Sequence, residues 1–228
     1  QEVIVSSSAR DLVKKAIEAI PRNYPQNKLI ITGNYVETIM KNKFDTAYKI
    51  AFQINSQLSY KEGENQKSRD KITQYAKTMA RNLDTSALVN WYGEGKILEK
   101  LDLVRMREKF LNSNRQKKYN YKLIDILSIN GRETYQVQFN LKSDPKLEEG
   151  NIYIDEESFA IIRFDFIENP KNSVRDKDGQ IVAEVNYKPY EKGWIIDNLS
   201  FSHAAKVQNI YGYAWIIYKF QILPKQKN

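Results

Sequence analysis

The sequence predicts an α+β domain: a large curved antiparallel sheet, or half-open β-barrel, with an N-terminal amphipathic helix and a short helical excursion over its concave face. Three observations predict it. Val13, Ala16, Ile17 and Ile20 recur at helical spacing. From Phe44 onward apolar and polar residues alternate with period two through Leu58, which no helix tolerates. From Tyr119 onward, strand-like runs are separated by turn signals, the pattern of a meander.

The helix has a start and a stop in its own residues. Ser8 is placed to cap it, with Asp11 three residues on in the manner of a capping box. Lys14, Lys15 and Glu18 fall opposite the apolar positions, so one face meets protein and the other water. Pro21 and Pro25 are expected to end it.

The alternating run reads Phe44, Thr46, Tyr48, Ile50, Phe52, Ile54, Ser56 and Leu58 on one face. Residues 28–40 pair with it across Lys41-Asn42-Lys43. A strand this long spans roughly 50 Å and must coil around something. Tyr48, Ile50, Phe52 and Ile54 are therefore expected on the concave side, partly under Val13 and Ile17. These six are the candidate ligand-binding residues. The row is longer than one helix covers, so what remains meets other strands, the 97–110 segment or a ligand. A simply filled core accounts for the row equally well.

Ile72, Tyr75, Ala76, Met79 and Leu83 fit a helix, while residues 72–80 also fit a strand, so 70–83 stays open. Ile97, Leu98, Leu101, Val104 and Phe110 predict a second, shorter helix. In the meander, Asn130-Gly131 is a two-residue hairpin signal. It sets Ile126 opposite Tyr135 and Ile124 opposite Val137. A second hairpin joins Ile152 and Ile154 to Ile162, Phe164 and Phe166. A third turns at Glu191-Lys192-Gly193 and aligns Ala183, Val185 and Pro189 with Phe201, Leu199 and Ile195. The last strand is expected over 210–223, covered on both faces.

The chemistry of common enzymes is missing. With no cysteine and one histidine, thiol catalysis and histidine- or cysteine-rich metal sites are excluded. That histidine, His203, falls by register opposite Ile181 on an apolar face, a packing position. No nucleophile-elbow or phosphate-loop motif occurs, and Gly93-Glu94-Gly95-Lys96 reads as a turn. The carboxylates Asp155, Glu156, Glu157, Asp176 and Asp178 lie at hairpin ends, where they favour turns. No catalytic residue, metal or cofactor is assigned. The net charge of +8 is densest between Lys96 and Lys122, which fits an anionic partner or a solvated surface. Lys117-Lys118-Tyr119-Asn120-Tyr121-Lys122 admits only weak, nonspecific nucleic-acid binding.

Two stretches carry a family resemblance. Gln1-Glu2-Val3-Ile4-Val5 followed by ARDLVKKAIEAIPRNYP (9–25) resembles the junction after a carboxypeptidase regulatory-like β-sandwich in envelope proteins of certain Gram-negative bacteria. There a short strand closes the small domain and the helix opens a C-terminal domain of uncharacterised function. DKDGQIVAEVNYKPYEKGW (176–194) resembles the same family. The order helix, long curved hairpin, helical excursion, meander is similar to the outer-membrane lipoprotein carrier fold, a half-open barrel lidded by helices over an apolar cavity. Residues 151–166 resemble that fold's hairpin. No acyl-binding motif of those carriers matches here, so no residue role is carried over.

The resemblance implies that 1–7 end a preceding domain or linker and that 8–228 form a single lipoprotein-carrier-like half-barrel, the C-terminal part of a longer secreted protein. It implies a monomeric, non-catalytic module, periplasmic or outer-membrane associated. A lipid or lipoprotein acyl chain, or an envelope protein, would be the partner. A structural or protein-interaction domain and a glycan or cell-wall hydrolase are the alternatives.

Overall fold

The computed structural model describes residues 8–42, 45–61, 71–79, 98, 102–169, 180–206 and 213–222, with the backbone alone described at 37, 39–42, 45–57, 71–79, 203–206, 213–220 and 222. Helix α1 (Ala9–Asn23) is followed by strands β1 (Leu29–Asn42), β2 (Asp45–Leu58) and β3 (Lys71–Met79). A single helical turn, α2 (Leu103–Met106), and two 3₁₀ turns, Lys109–Leu111 and Gln116–Lys118, then lead into a meander. Its strands are β4 (Tyr119–Ile129), β5 (Arg132–Leu141), β6 (Glu148–Asp155), β7 (Ile161–Glu168), β8 (Ile181–Tyr190), β9 (Gly193–Lys206) and β10 (Tyr213–Ile222). All lie in one ten-stranded sheet, in the order β3-β2-β1-β10-β9-β8-β7-β6-β5-β4. Every pairing is antiparallel, and β3 and β4 are the free edges of this curved, unclosed sheet. Strand β10 joins the first hairpin to the meander.

The capping box forms as the residues require. The Ser8 hydroxyl accepts from the Asp11 amide at 3.2 Å, and the Asp11 carboxylate accepts from the Ser8 amide at 3.2 Å. Leu12, Val13, Ala16, Ala19 and Ile20 are buried. Pro21 does not stop the helix, which continues to Asn23. A proline in the final turn removes one backbone bond from a helix already ending. The stop comes at Tyr24, which is extended (ψ 150°) as the residue before Pro25 is disposed to be, and whose amide donates to the Ile20 carbonyl. The buried face of α1 lies against β4, β6 and β9.

Three meander registers differ from strict alternation, each by a bulge. Ile126 pairs with Tyr135 as expected, but Leu123, not Ile124, faces Val137. The displaced Ile124 is 44% exposed. Ile154 faces Ile161 instead of Ile162. Ala183↔Phe201 and Val185↔Leu199 hold, yet Pro189 faces Trp194, because a bulge intervenes after Asn186. His203 faces Ile181, as the alternation required.

The open segment at 70–83 resolves as strand over Lys71–Met79, paired with β2. The expected second helix is seen in part: Leu98 is helical, the Asp102 amide donates to the Leu98 carbonyl at 3.2 Å, and Leu103–Met106 adds a turn, while Ile97 and Leu101 lie outside the described residues. Past Met106, before Phe110, it ends. Arg107 adopts a left-handed conformation (φ 48°) directly after Met106, and Lys109 does the same (φ 51°). Such residues cannot continue a right-handed helix. The chain after Asp102 therefore crosses the sheet as a strap of short turns. Residues 1–7, 43–44, 62–70, 80–97, 99–101, 170–179, 207–212 and 223–228 lie outside the described part, and with them the expected turns at 41–43 (in part) and 93–96, Leu83, and the carboxylates Asp176 and Asp178.

Candidate functional site

Directly opposed residues of antiparallel strands share a face. The register therefore traces an apolar row across all ten strands. On one half it runs Tyr75 (β3), Phe52 (β2), Tyr35 (β1) and Phe220 (β10). On the other it continues through Leu199, Val185, Phe164, Ile152 and Val137 to Leu123 on β4. Val185, Phe164, Ile152 and Val137 have no exposed surface, so over these strands this is the core face, the one that α1 and the strap cover.

Over β4–β9 that face is filled. Helix α1 covers part of it and the strap the rest. Phe110 stacks on Phe139 with centroids 3.8 Å apart and meets Phe164, Phe166 and Tyr119 edge-on at 5.8–6.4 Å. This ring nest needs Gly150 in its floor. A Cβ there would sit 2.0 Å from the Asp165 carbonyl oxygen and 2.7 Å from Phe166 Cα. Lys109 lies over the Phe166 ring at 4.7 Å and pairs with Glu168. On β1 the cover extends to Ile31 and Tyr35, 6% and 1% exposed.

The strap is fastened at one end by a buried carboxylate. Asp102, fully buried, caps α2 by accepting from the Arg105 amide at 3.3 Å. Its Oδ1 also accepts from the Tyr187 hydroxyl at 2.7 Å. Tyr60 and Tyr24 complete the surround. Their rings are 5.0 Å apart, and Tyr24 meets Tyr187 edge-on at 5.7 Å. The Tyr24 hydroxyl donates to the Ile161 carbonyl at 2.6 Å, and that of Tyr60 accepts from the Ile196 amide at 3.3 Å. Burial raises the Asp102 carboxyl above the usual range, against the opposing pull of Arg105, Tyr187 and Tyr60. Burial likewise pushes the Tyr24, Tyr60 and Tyr187 hydroxyls well above their ordinary value. Four elements thus converge on one charge: α1, the chain after β2, α2 and β8.

The opposite end of the concave face is also polar. Glu148 faces Glu168 across β6–β7, and its carboxylate accepts from the Tyr119 hydroxyl at 3.2 Å. Burial raises the Glu148 carboxyl, opposed by Lys109. Near the Asp102 end, a crevice of about 290 Å³ opens between the C-terminus of α1, Lys28–Leu29 and the turn Tyr190–Gly193.

Of the six residues picked from sequence, Val13 is fully buried and Ile17 partly so. Both stand with the half of the sheet that α1 covers. Tyr48, Ile50, Phe52 and Ile54 stand on β2, opposite Ile39, Glu37, Tyr35 and Gly33 respectively, with Met79, Lys77, Tyr75 and Ile72 beyond them on β3. Their side chains lie outside the described part. Sequence reasoning passed over Asp102, Tyr24, Tyr60 and Tyr187. One signal for Asp102 was present: a carboxylate set among Leu98, Leu101, Leu103 and Val104.

Among the described residues no group of three or more His, Cys, Asp or Glu is placed to hold a metal, and no helix is long and apolar enough to cross a membrane.

No family model matches the chain, and no curated protein matches its sequence. Several solved structures share its outline. A DUF1329 family protein from Desulfovibrio piger is 9% identical at TM-score 0.38, with 97% of this chain and 95% of that chain covered. A LolA superfamily protein from Nitrosomonas europaea is 10% identical at TM-score 0.35, with 97% and 96% covered. The Mycobacterium tuberculosis lipoprotein LppX is 8% identical at TM-score 0.30, with 96% and 97% covered. Likenesses of this strength carry no inference about ligand or activity.

Proposed function

We propose that residues 8–228 form a single non-catalytic, monomeric module of the cell envelope, periplasmic or attached at the outer membrane, that holds an apolar or amphipathic ligand such as a lipid or lipoprotein acyl chain in its concave face. The observation that carries this reading is the length of the apolar row. The row crosses all ten strands, whereas α1 packs chiefly on β4, β6 and β9, and on β1 the cover reaches Ile31 and Tyr35. The envelope setting rests on the resemblance of residues 1–25 and 176–194.

An acyl chain suits such a surface because it needs no polar geometry. Roughly ten methylenes buried at about 0.8 kcal/mol each reach the ~8 kcal/mol of a micromolar complex. A long-chain fatty acid has methylenes beyond that number to offset its lost freedom. Tyr48, Ile50, Phe52 and Ile54 are the proposed contacts on β2, with Val13 and Ile17 lining the covered half. The test is titration with a fluorescent fatty acid. Micromolar binding displaced by phospholipid, weakened in Ile50→Ser with an unchanged circular dichroism spectrum, supports the reading. A folded wild type that binds no probe leaves an envelope protein-interaction domain instead.

A further inference from the structure

The positive charge is densest between residues 96 and 122, and the fold decides what that charge does. In the stretch 117–122 the two tyrosines turn inward. Tyr119 is 4% exposed, and the part-buried Tyr121 donates its hydroxyl to the Phe110 carbonyl at 2.9 Å. Lys118, Asn120 and Lys122 alternate with them and are exposed. Pairing brings in a further lysine: the Lys142 amide donates to the Lys118 carbonyl at 2.9 Å, one step beyond the Tyr119↔Leu141 pair. Asn120 and Asn140, directly opposed, bond through their side chains at 3.0 Å. The first turn of α1 adds Arg10, whose guanidinium donates to the Tyr119 carbonyl at 3.3 Å. The 3₁₀ turn leading into β4 adds Arg115 and Lys117.

Six exposed cations, Arg10, Arg115, Lys117, Lys118, Lys122 and Lys142, thus wrap the start of edge strand β4. None takes part in an ion pair among the described residues, although other cations of the domain do, such as Lys14, Lys109, Arg132 and Lys188. The nearby acids are fewer than these six cations: Asp11 caps α1, Glu148 is turned inward onto Tyr119 with Arg115 close enough to act on it, Asp144 accepts from the Lys146 amide, and Glu149 is exposed at the border on β6, so this end stays net positive. Concentrated, unpaired charge of one sign attracts a polyanion.

We propose that this basic end of the sheet docks on an anionic lipid surface. A nucleic acid is the other polyanion to weigh. Single strands are held by bases stacking on exposed aromatic rings, and here both tyrosines of the stretch point into the core. What remains outside is cations and amides, which suit phosphodiester headgroups presented as a plane. Each such cation contributes about 1 kcal/mol near an anionic membrane, falling off within a Debye length.

The test uses the whole chain and vesicles of phosphatidylcholine with or without about one-third phosphatidylglycerol. Cosedimentation should occur with the anionic vesicles at low salt, be absent with neutral ones, and fade as salt rises. Lys117→Gln/Lys118→Gln should weaken it about thirtyfold, the loss of two such contacts. Lys28→Gln/Lys192→Gln changes net charge equally at the other end of the strands, roughly 30 Å away, and should leave binding within about twofold. Circular dichroism checks that both pairs fold. No cosedimentation by the folded wild type, or equal losses in the two pairs, overturns the proposal. So does single-stranded RNA that binds tightly at physiological salt and strips the protein from vesicles.

Discussion

Removing the Phe110 ring tests whether the strap is packed on the concave face. Phe110 has no exposed surface and sits among four rings, with Phe139 stacked beneath it at 3.8 Å. Truncating a buried phenylalanine to alanine costs about 3–5 kcal/mol, transfer and cavity terms together. The ring geometry favours the upper half, because well-placed aromatic pairs contribute ~0.5–1.5 kcal/mol beyond area burial. Relaxation works the other way, since the strap is short turns and not a braced helix. Phe110→Ala should therefore lose about 4 kcal/mol, which at 2–4 °C per kcal/mol lowers the melting temperature by roughly 8–16 °C. Urea unfolding measures it, read as a shifted midpoint at unchanged slope. A loss below about 1 kcal/mol would refute the packing, because a buried aromatic cannot be removed that cheaply.

Other perturbations follow from single contacts. Gly150→Ala should cost more than about 3 kcal/mol or prevent folding, since the new methyl meets backbone atoms that cannot move aside. Thermal denaturation checks it. Ser8→Ala removes the α1 cap and should cost about 1 kcal/mol in the same assay. Tyr187→Phe removes a donor to a buried carboxylate and should cost about 1.5–3 kcal/mol at neutral pH. Its pH dependence has a definite sign. The folded Asp102 carboxyl titrates above its unfolded value, so folding takes up a proton between the two and stability falls as pH rises through that window. The Tyr187→Phe penalty should accordingly shrink as pH drops below the folded value, where the neutral acid needs the hydroxyl less. A penalty that grows on acidification contradicts a raised Asp102.

Much of this fold is legible because local signals and burial agree. Ser8 and Asp11 announce α1, Asn130-Gly131 turns the β4–β5 hairpin, and alternation from Phe44 to Leu58 marks β2. Bulges are not legible. Skipping Ile124 leaves an apolar residue where either register reads plausibly, and only the neighbours' packing decides between them. The strap is obscured for a related reason. Ile97, Leu101 and Val104 have helical spacing, but Phe110 is placed by a ring nest drawn from β4, β5 and β7, distant in the chain. The Asp102 cluster draws on the same kind of long-range convergence. The candidate contacts on β2 were readable as a row, whereas their position three strands away from β9 required the sheet order.

The central claim, an apolar ligand in the concave face, is tested most directly by mapping where one attaches. The protein is incubated with a diazirine fatty acid, irradiated, digested and analysed by mass spectrometry. Adducts should concentrate on the peptide carrying the proposed contacts of β2, Tyr48, Ile50, Phe52 and Ile54, and should disappear when unlabelled phospholipid competes. Adducts confined to the convex face or to exposed Ile30 and Val182, or labelling that phospholipid does not reduce, would contradict the account.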